Sequence, residues 1–247
     1  MHIEEFAIGN SWIHELDPRV KIIVTVIFSL VVALNQNLAG TALSLLLPTA
    51  LLAAGRLNIA KVLVRLAIVN GFMAFIWFFL PFTVPGETIC TLGPLSIQKE
   101  GIQGALLITL KSNSIILMVI TLLGTSQIFT LVHALSHLGV PDKLVHLFFF
   151  CFRYVHVIHE EYHRLINAMK IRGFRLKTDM HTYRAYAYLV GMLLVRSFDR
   201  SKRILQAMKC RGFKGRFYIL HHYQMKSYDY ALVGSSIAFS ALLLATK

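Results

Sequence analysis

Three long intervals of this chain contain no Asp, Glu, Lys or Arg: between Lys21 and Arg56, between Arg65 and Glu87, and between Lys111 and Asp142. Uncharged apolar runs of about 20 residues match the hydrocarbon core of a bilayer. Composition agrees, with 56% hydrophobic and 15% charged residues against about 25% charged in a soluble domain. The expectation is an all-α integral membrane protein, because a helix satisfies its own backbone hydrogen bonds in lipid.

The charges divide the apolar sequence into about five transmembrane helices, roughly 20–35, 39–55, 66–84, 104–124 and 229–246, with four to six bounding the count. Asn35-Gln36-Asn37 breaks the first interval into two spans joined by a polar tip. Arg19 and Lys21 before it, and Arg56, Lys61 and Arg65 after it, place both ends in the cytoplasm. Segment 85–103 contains Pro85-Gly86 and Gly93-Pro94, which are turn signals, and reads as an outside loop. Glu4 and Glu5 precede the first apolar run without a positive leader, so no cleaved signal peptide is expected. Cys90, Cys151 and Cys210 are too dispersed for a disulfide framework or a metal cluster. Lys111 lies inside the fourth span. An intramembrane charge suggests function, whereas snorkelling to the outer interface is the plainer account.

The net charge of +13 is concentrated late, since only Asp179, Asp199 and Asp229 are acidic after Glu161. Beside membrane spans such a basic stretch marks a cytoplasmic segment rather than a nucleic-acid site. The apolar pieces 144–152 and 185–195 are too short to span and belong to long helices that dip into the membrane or lie under it. The division is therefore an N-terminal membrane domain of four spans (1–125), a cytoplasmic helical coupling domain (126–227) and a C-terminal transmembrane helix (228–247).

Within the basic region one octapeptide occurs twice: "AMKIRGFR" at 168–175 and "AMKCRGFK" at 207–214. Each ends a helix-compatible stretch, with Gly173 or Gly212 where a C-terminal glycine belongs and basic residues in the last turn. Two helix caps would account for much of this. A cap alone does not require Ala, Met or Phe at those offsets, so the repeat suggests two equivalent tips meeting two equivalent partners. Arg172 and Arg211 would be the anchors, and Phe174 and Phe213 would supply apolar contact.

These features resemble the transmembrane T component of energy-coupling factor ABC transporters, in its cobalt-type, CbiQ-like branch. The resemblance rests on "LDPRVK" at 16–21, on "LVHALSHLGVPDKLVHLFFFCFRYVHVIHEEYHRLINAMKIRGF" at 131–174 and on the second "AMKCRGF". It implies that two Arg-centred motifs, often Ala-Arg-Gly, end two coupling helices and dock on two ATP-binding cassette ATPase subunits. Carried over, the docking residues are Ile171, Arg172, Gly173 and Phe174, and Cys210, Arg211, Gly212 and Phe213. Ile171 and Cys210 depart from the usual Ala. The implied function is a non-enzymatic, energy-coupling subunit in ATP-driven uptake of cobalt or nickel, serving cobalamin biosynthesis from the inner (cytoplasmic) membrane. Its partners would be the two ATPases, a membrane-embedded substrate-binding subunit and the lipid bilayer, with no nucleic acid, cofactor, catalytic residue or metal ligand of its own. No Gly-rich phosphate loop is present.

Two rival functions remain. His159-Glu160-Glu161-Tyr162-His163 fits the H-E-x-x-H pattern of a zinc metalloprotease, with Glu160 as general base. A catalytic zinc needs a third protein ligand, and only His181, His221, His222 or an Asp could follow. A permease independent of ATPases would instead use Lys111 and the histidines. His133 and His137, spaced i, i+4, read as an amphipathic surface pair, and Met1-His2 as a weak chelating match.

Overall fold

The computed structural model describes residues 9, 11–85, 88–92, 95–213 and 227–245. The order is α1 (Trp12–Glu15), α2 (Pro18–Leu34), α3 (Leu38–Ser44), α4 (Leu46–Ala54), α5 (Ile59–Thr83), β1 (Thr88–Leu92), β2 (Leu95–Gln98), α6 (Lys99–Met118), a π-helical turn (Val119–Leu123), α7 (Ile128–His137), α8 (Asp142–Ile171), α9 (Met180–Cys210) and α10 (Ser227–Ala245). The protein is an all-α membrane protein with one small hairpin. Two compact units form, residues 1–138 with 223–247, and residues 139–222.

In the first unit α2 is the central helix. Asp17 caps it by accepting from the Arg19 N–H at 2.9 Å, and Pro18 occupies the first turn, where its missing N–H costs nothing. Val20, Val24, Phe28 and Val32 recur every four residues and are buried with Met118, Leu122, Leu232 and Leu243. This stripe packs α2 against α6, the π-helical turn and α10, and α2 also contacts α7. The polar tip predicted at 35–37 is a turn. Asn37 caps α3 and donates its N–H to Asn35 Oδ1, and the Asn35 amide donates to the Leu243 carbonyl.

α5 is largely apolar after its first turns, and few of its residues are fully buried within the chain, as suits a helix with faces toward lipid. It is joined to α6 by a two-way Asn70–Asn113 amide pair and by Trp77 donating to Thr109 Oγ1 at 2.9 Å. At Gly101 a Cβ would lie 2.6 Å from the Leu80 carbonyl oxygen, so the close approach of these helices requires glycine there.

Among the described residues three helical segments, Ile59–Thr83, Lys99–Leu123 and Ser227–Leu244, are long and apolar enough to cross a membrane. The first two expected spans are α2, of 17 residues, and α3–α4, an apolar Leu38–Ala54 stretch with a single turn residue at Leu45. Each rises about 26 Å, close to the ~30 Å hydrocarbon core. The third and fourth spans begin earlier than the charges suggested. Lys61 and Arg65 lie in the first turns of α5, which starts where Asn58 caps it, and α6 starts at Lys99. Long basic side chains can sit on a helix end and still reach water. The expected outside loop contains an antiparallel hairpin, with Thr88 opposite Gln98 and Leu92 opposite Leu95. Its Thr- and Ile-containing strands suit extended backbone.

Candidate functional site

The second unit contains α8 and α9, of 30 and 31 residues. The interior of α8 has neither Gly nor Pro, and α9 has only Gly191. Asp179 starts α9, its carboxylate accepting from the Thr182 N–H at 2.9 Å. The Thr182 hydroxyl, together with that backbone bond, holds the Asp179 carboxyl below its ordinary value.

Both helices end in the same way. Gly173 has φ +79° and Gly212 φ +78°, the left-handed conformation that terminates a helix at low cost only for glycine. The Phe174 N–H donates to the Met169 carbonyl at 3.1 Å and the Gly173 N–H to Lys170 at 3.0 Å; Phe213 donates to Met208 and Gly212 to Lys209, both at 3.0 Å. This is a Schellman cap, which favours apolar residues at both ends of its outer bond. Those residues are Met169 with Phe174, and Met208 with Phe213. The expectation that Met and Phe lay outside the needs of a cap is corrected by this geometry. Ala and the exposed Arg are what the cap leaves unexplained.

The two phenylalanines are half-buried and turned toward their own unit. The Phe174 ring is 6.1 Å from Tyr186, edge to face, and shares a small groove with Met169. Phe213 lines a larger groove with Met208. Ile171 is 87% exposed, and Arg172, Cys210 and Arg211 are exposed as well. Neither guanidinium makes a hydrogen bond or ion pair among the described residues. The cap therefore turns each Phe inward and leaves an arginine facing outward that is unpaired among the described residues.

α8 and α9 run antiparallel. The tip of α8 packs beside Tyr186 near the start of α9, and Met208 near the tip of α9 shares its groove with Phe150 and Cys151 of early α8. The two arginines therefore sit at opposite ends of the pair, about 45 Å apart for 30 residues at 1.5 Å each. Between them Glu161, with a side chain 9% exposed, accepts from Arg196 of α9 and from Arg164, at 3.2 Å, on its own helix. The Arg196 hydrogen bond holds the Glu161 carboxyl below the usual carboxylate value; desolvation opposes this, and the charges of Arg164, Arg196 and Arg200 add to it.

The other expected residues fall elsewhere. His159 and His163 lie on the exposed face of α8 with their Nε2 atoms 3.0 Å apart. Among the described residues no group of three His, Cys, Asp or Glu is arranged to hold a metal, so the third ligand of a protease zinc is not found among them. His2, His221 and His222 lie outside the described residues. His133 is buried rather than on the surface, 3.0 Å from His137 between their Nε2 atoms. Lys111 donates to the Ala33 carbonyl at 2.8 Å, capping the last turn of α2, where a cation is favoured.

Lys21 was expected as a flanking charge, yet it is fully buried. Its Nζ donates to Ser126 Oγ at 2.7 Å and approaches Thr125 Oγ1 at 3.4 Å. Asp229 of α10, also buried, accepts from the Asp17 N–H at 2.8 Å. The "LDPRVK" stretch thus links α2 to the end of α6 and to α10. A signal was present in the sequence: Lys21, Thr25, Phe28 and Val32 share one face at helical spacing.

Residues 9–219 match the family model described as CbiQ, cobalt transport protein. The chain belongs to the CbiQ family. This CbiQ-family chain is 30% identical to the energy-coupling factor transporter transmembrane protein EcfT of Leuconostoc gelidum subsp. gasicomitatum, over 96% of the chain and 95% of the relative. The proteins of the same name from Listeria innocua and Heliobacterium modesticaldum are 26% and 29% identical, over 84% and 83% of this chain and 82% and 81% of their own lengths.

Proposed function

We propose that the chain is the energy-coupling transmembrane subunit of an ATP-driven uptake transporter in the cytoplasmic membrane. Its cargo is a transition-metal ion, cobalt or nickel. Arg172 and Arg211 each dock into one of two ATP-binding cassette ATPases, and the membrane unit meets a substrate-binding subunit that selects the metal. ATP hydrolysis belongs to the ATPases, so this chain performs no chemistry. The observation that carries the reading is the pair of identically capped, outward-facing arginines at opposite ends of one antiparallel helix pair. Two separated plugs suit two separated sockets, and a cap alone has no need of exposed guanidiniums.

In this reading, closure of the ATPases on ATP displaces the tips of α8 and α9 relative to one another. The Glu161–Arg196 contact is where the helices hold each other, so motion at one tip is transmitted to the other helix there. A ligand shifts such an equilibrium only by its differential affinity for the two states, which here comes from the nucleotide-dependent spacing of the sockets. The residues 1–125, 126–227 and 228–247 then act as membrane domain, cytoplasmic coupling region and closing span.

The test is co-purification of the ATPases with Arg172→Ala, Arg211→Ala and the double variant at matched expression. Loss of one buried, paired guanidinium should weaken docking by about 2–5 kcal/mol, and the double variant should recover almost no ATPase. Lysine should restore part of the binding, since an ammonium lacks the planar fork. If the arginines served only as cap charges, each would be worth about 0.3–1 kcal/mol of helix stability. Wild-type ATPase recovery and metal uptake in the double variant would refute the docking role.

A further inference from the structure

The groove beside the second helix end has a volume of about 480 Å³, against about 50 Å³ for the one beside the first. Several hundred Å³ lined mainly by apolar groups, with a few polar ones placed together, is the character of a ligand site. Its apolar walls come from Phe150 and Tyr154 of α8 and from Leu205 and Met208 of α9. On α8 they follow the exposed Leu144, Leu147 and Phe148, an apolar approach from outside.

The polar groups gather at the Glu161 end. Arg196 and Arg200 line the groove with Glu161, and Arg164 pairs with the same carboxylate. Three guanidiniums thus surround one acid. Arg200 is half-buried and makes no hydrogen bond or ion pair among the described residues. The surrounding unit is itself strongly basic, with 16 Lys and Arg against five Asp and Glu over 139–222.

We propose that this groove binds one anionic phospholipid, its acyl chain along the apolar walls and its phosphate paired with Arg200. An apolar trough demands a hydrocarbon tail, and the surplus guanidinium demands an anion that can accept a forked hydrogen bond. In a membrane protein the bilayer supplies that amphiphile at high local concentration. An acidic, apolar segment of a partner protein would offer similar chemistry, and the experiment separates the two.

The full-length chain bearing Phe150→Trp is reconstituted in nanodiscs and titrated with tail-brominated phosphatidylglycerol or tail-brominated phosphatidylcholine. The parent chain, with Trp12 and Trp77 alone, supplies the background; Tyr154→Trp serves as reporter if Phe150→Trp does not fold. Phosphatidylglycerol should quench the reporter at about fivefold lower mole fraction than phosphatidylcholine, and Arg200→Gln should abolish that preference. Equal quenching by both lipids would reduce the groove to bulk lipid contact and overturn the proposal. No quenching by either, with a blue shift of the reporter when the ATPases are added, would assign the groove to a protein segment and overturn it equally.

Discussion

A lysine in the first turn of a membrane-spanning helix can avoid an unpaired charge by snorkelling to water or by turning inward to fixed acceptors. Lys21 turns inward, onto Ser126 and Thr125, with the Asp229 carboxylate acting on it from α10. Removing one member of a buried charged set leaves the other without compensation, at a cost of about 3–5 kcal/mol. Lys21→Ala should therefore lower the unfolding free energy in detergent by that amount; a loss under about 1 kcal/mol would be that of a solvent-exposed charge. Lys111 solves the same problem differently, by donating to the Ala33 carbonyl at the end of α2. The residue types of both lysines are plain in the sequence, but the atoms that accept their hydrogen bonds lie 78 to 105 residues away.

At the scale of the element, the cap and the arginine proposed to dock are separable. A Cβ at Gly173 or Gly212 meets nothing within 4 Å, so only the backbone resists substitution. Gly173→Ala and Gly212→Ala should each cost about 1–2 kcal/mol through the left-handed conformation. Gly71, mid-α5 with open surroundings and no positive φ, is the control: Gly71→Ala should be neutral or gain about 0.5–1 kcal/mol. Urea or thermal titration of the three variants side by side checks this, and equal effects at all three would contradict the cap assignment. The α8–α9 contact has its own signature in pH. Because the folded Glu161 carboxyl lies below the unfolded value of about 4.3, its stabilisation is fully present above that value and is lost as pH falls through the folded value. The wild type should therefore lose α8–α9 contact, read by fluorescence transfer between labels on the two helices, as pH drops below about 4. Glu161→Gln should show the loosened state already at neutral pH and no acid transition of its own.

At the scale of the whole molecule, charge asymmetry sets the proposed topology, with residues 126–227 cytoplasmic and 86–100 external. In a background with Cys90, Cys151 and Cys210 replaced by Ser, an impermeant thiol reagent applied outside should label Thr91→Cys and leave Lys177→Cys unmodified. Labelling at 177 from outside would invert or break the five-span arrangement. The repeat fits the same orientation under the proposed function, in which both of its arginines dock on cytoplasmic ATPases.

Helix locations, their ends at Gly173 and Gly212, and the membrane class were legible in the chain alone. These follow from local physics: uncharged length, capping chemistry, and the one residue that accepts positive φ. The sequence also showed two tips, but not that the caps turn Phe174 and Phe213 inward while Arg172 and Arg211 face outward. Nor did it show that the tips lie at opposite ends of an antiparallel pair, that Glu161 joins that pair to Arg196, or that Lys21 is buried. Such facts depend on which helix faces which. Apolar and polar stripes are compatible with many pairings, and the tertiary structure selects the one in which each buried charge finds its partner.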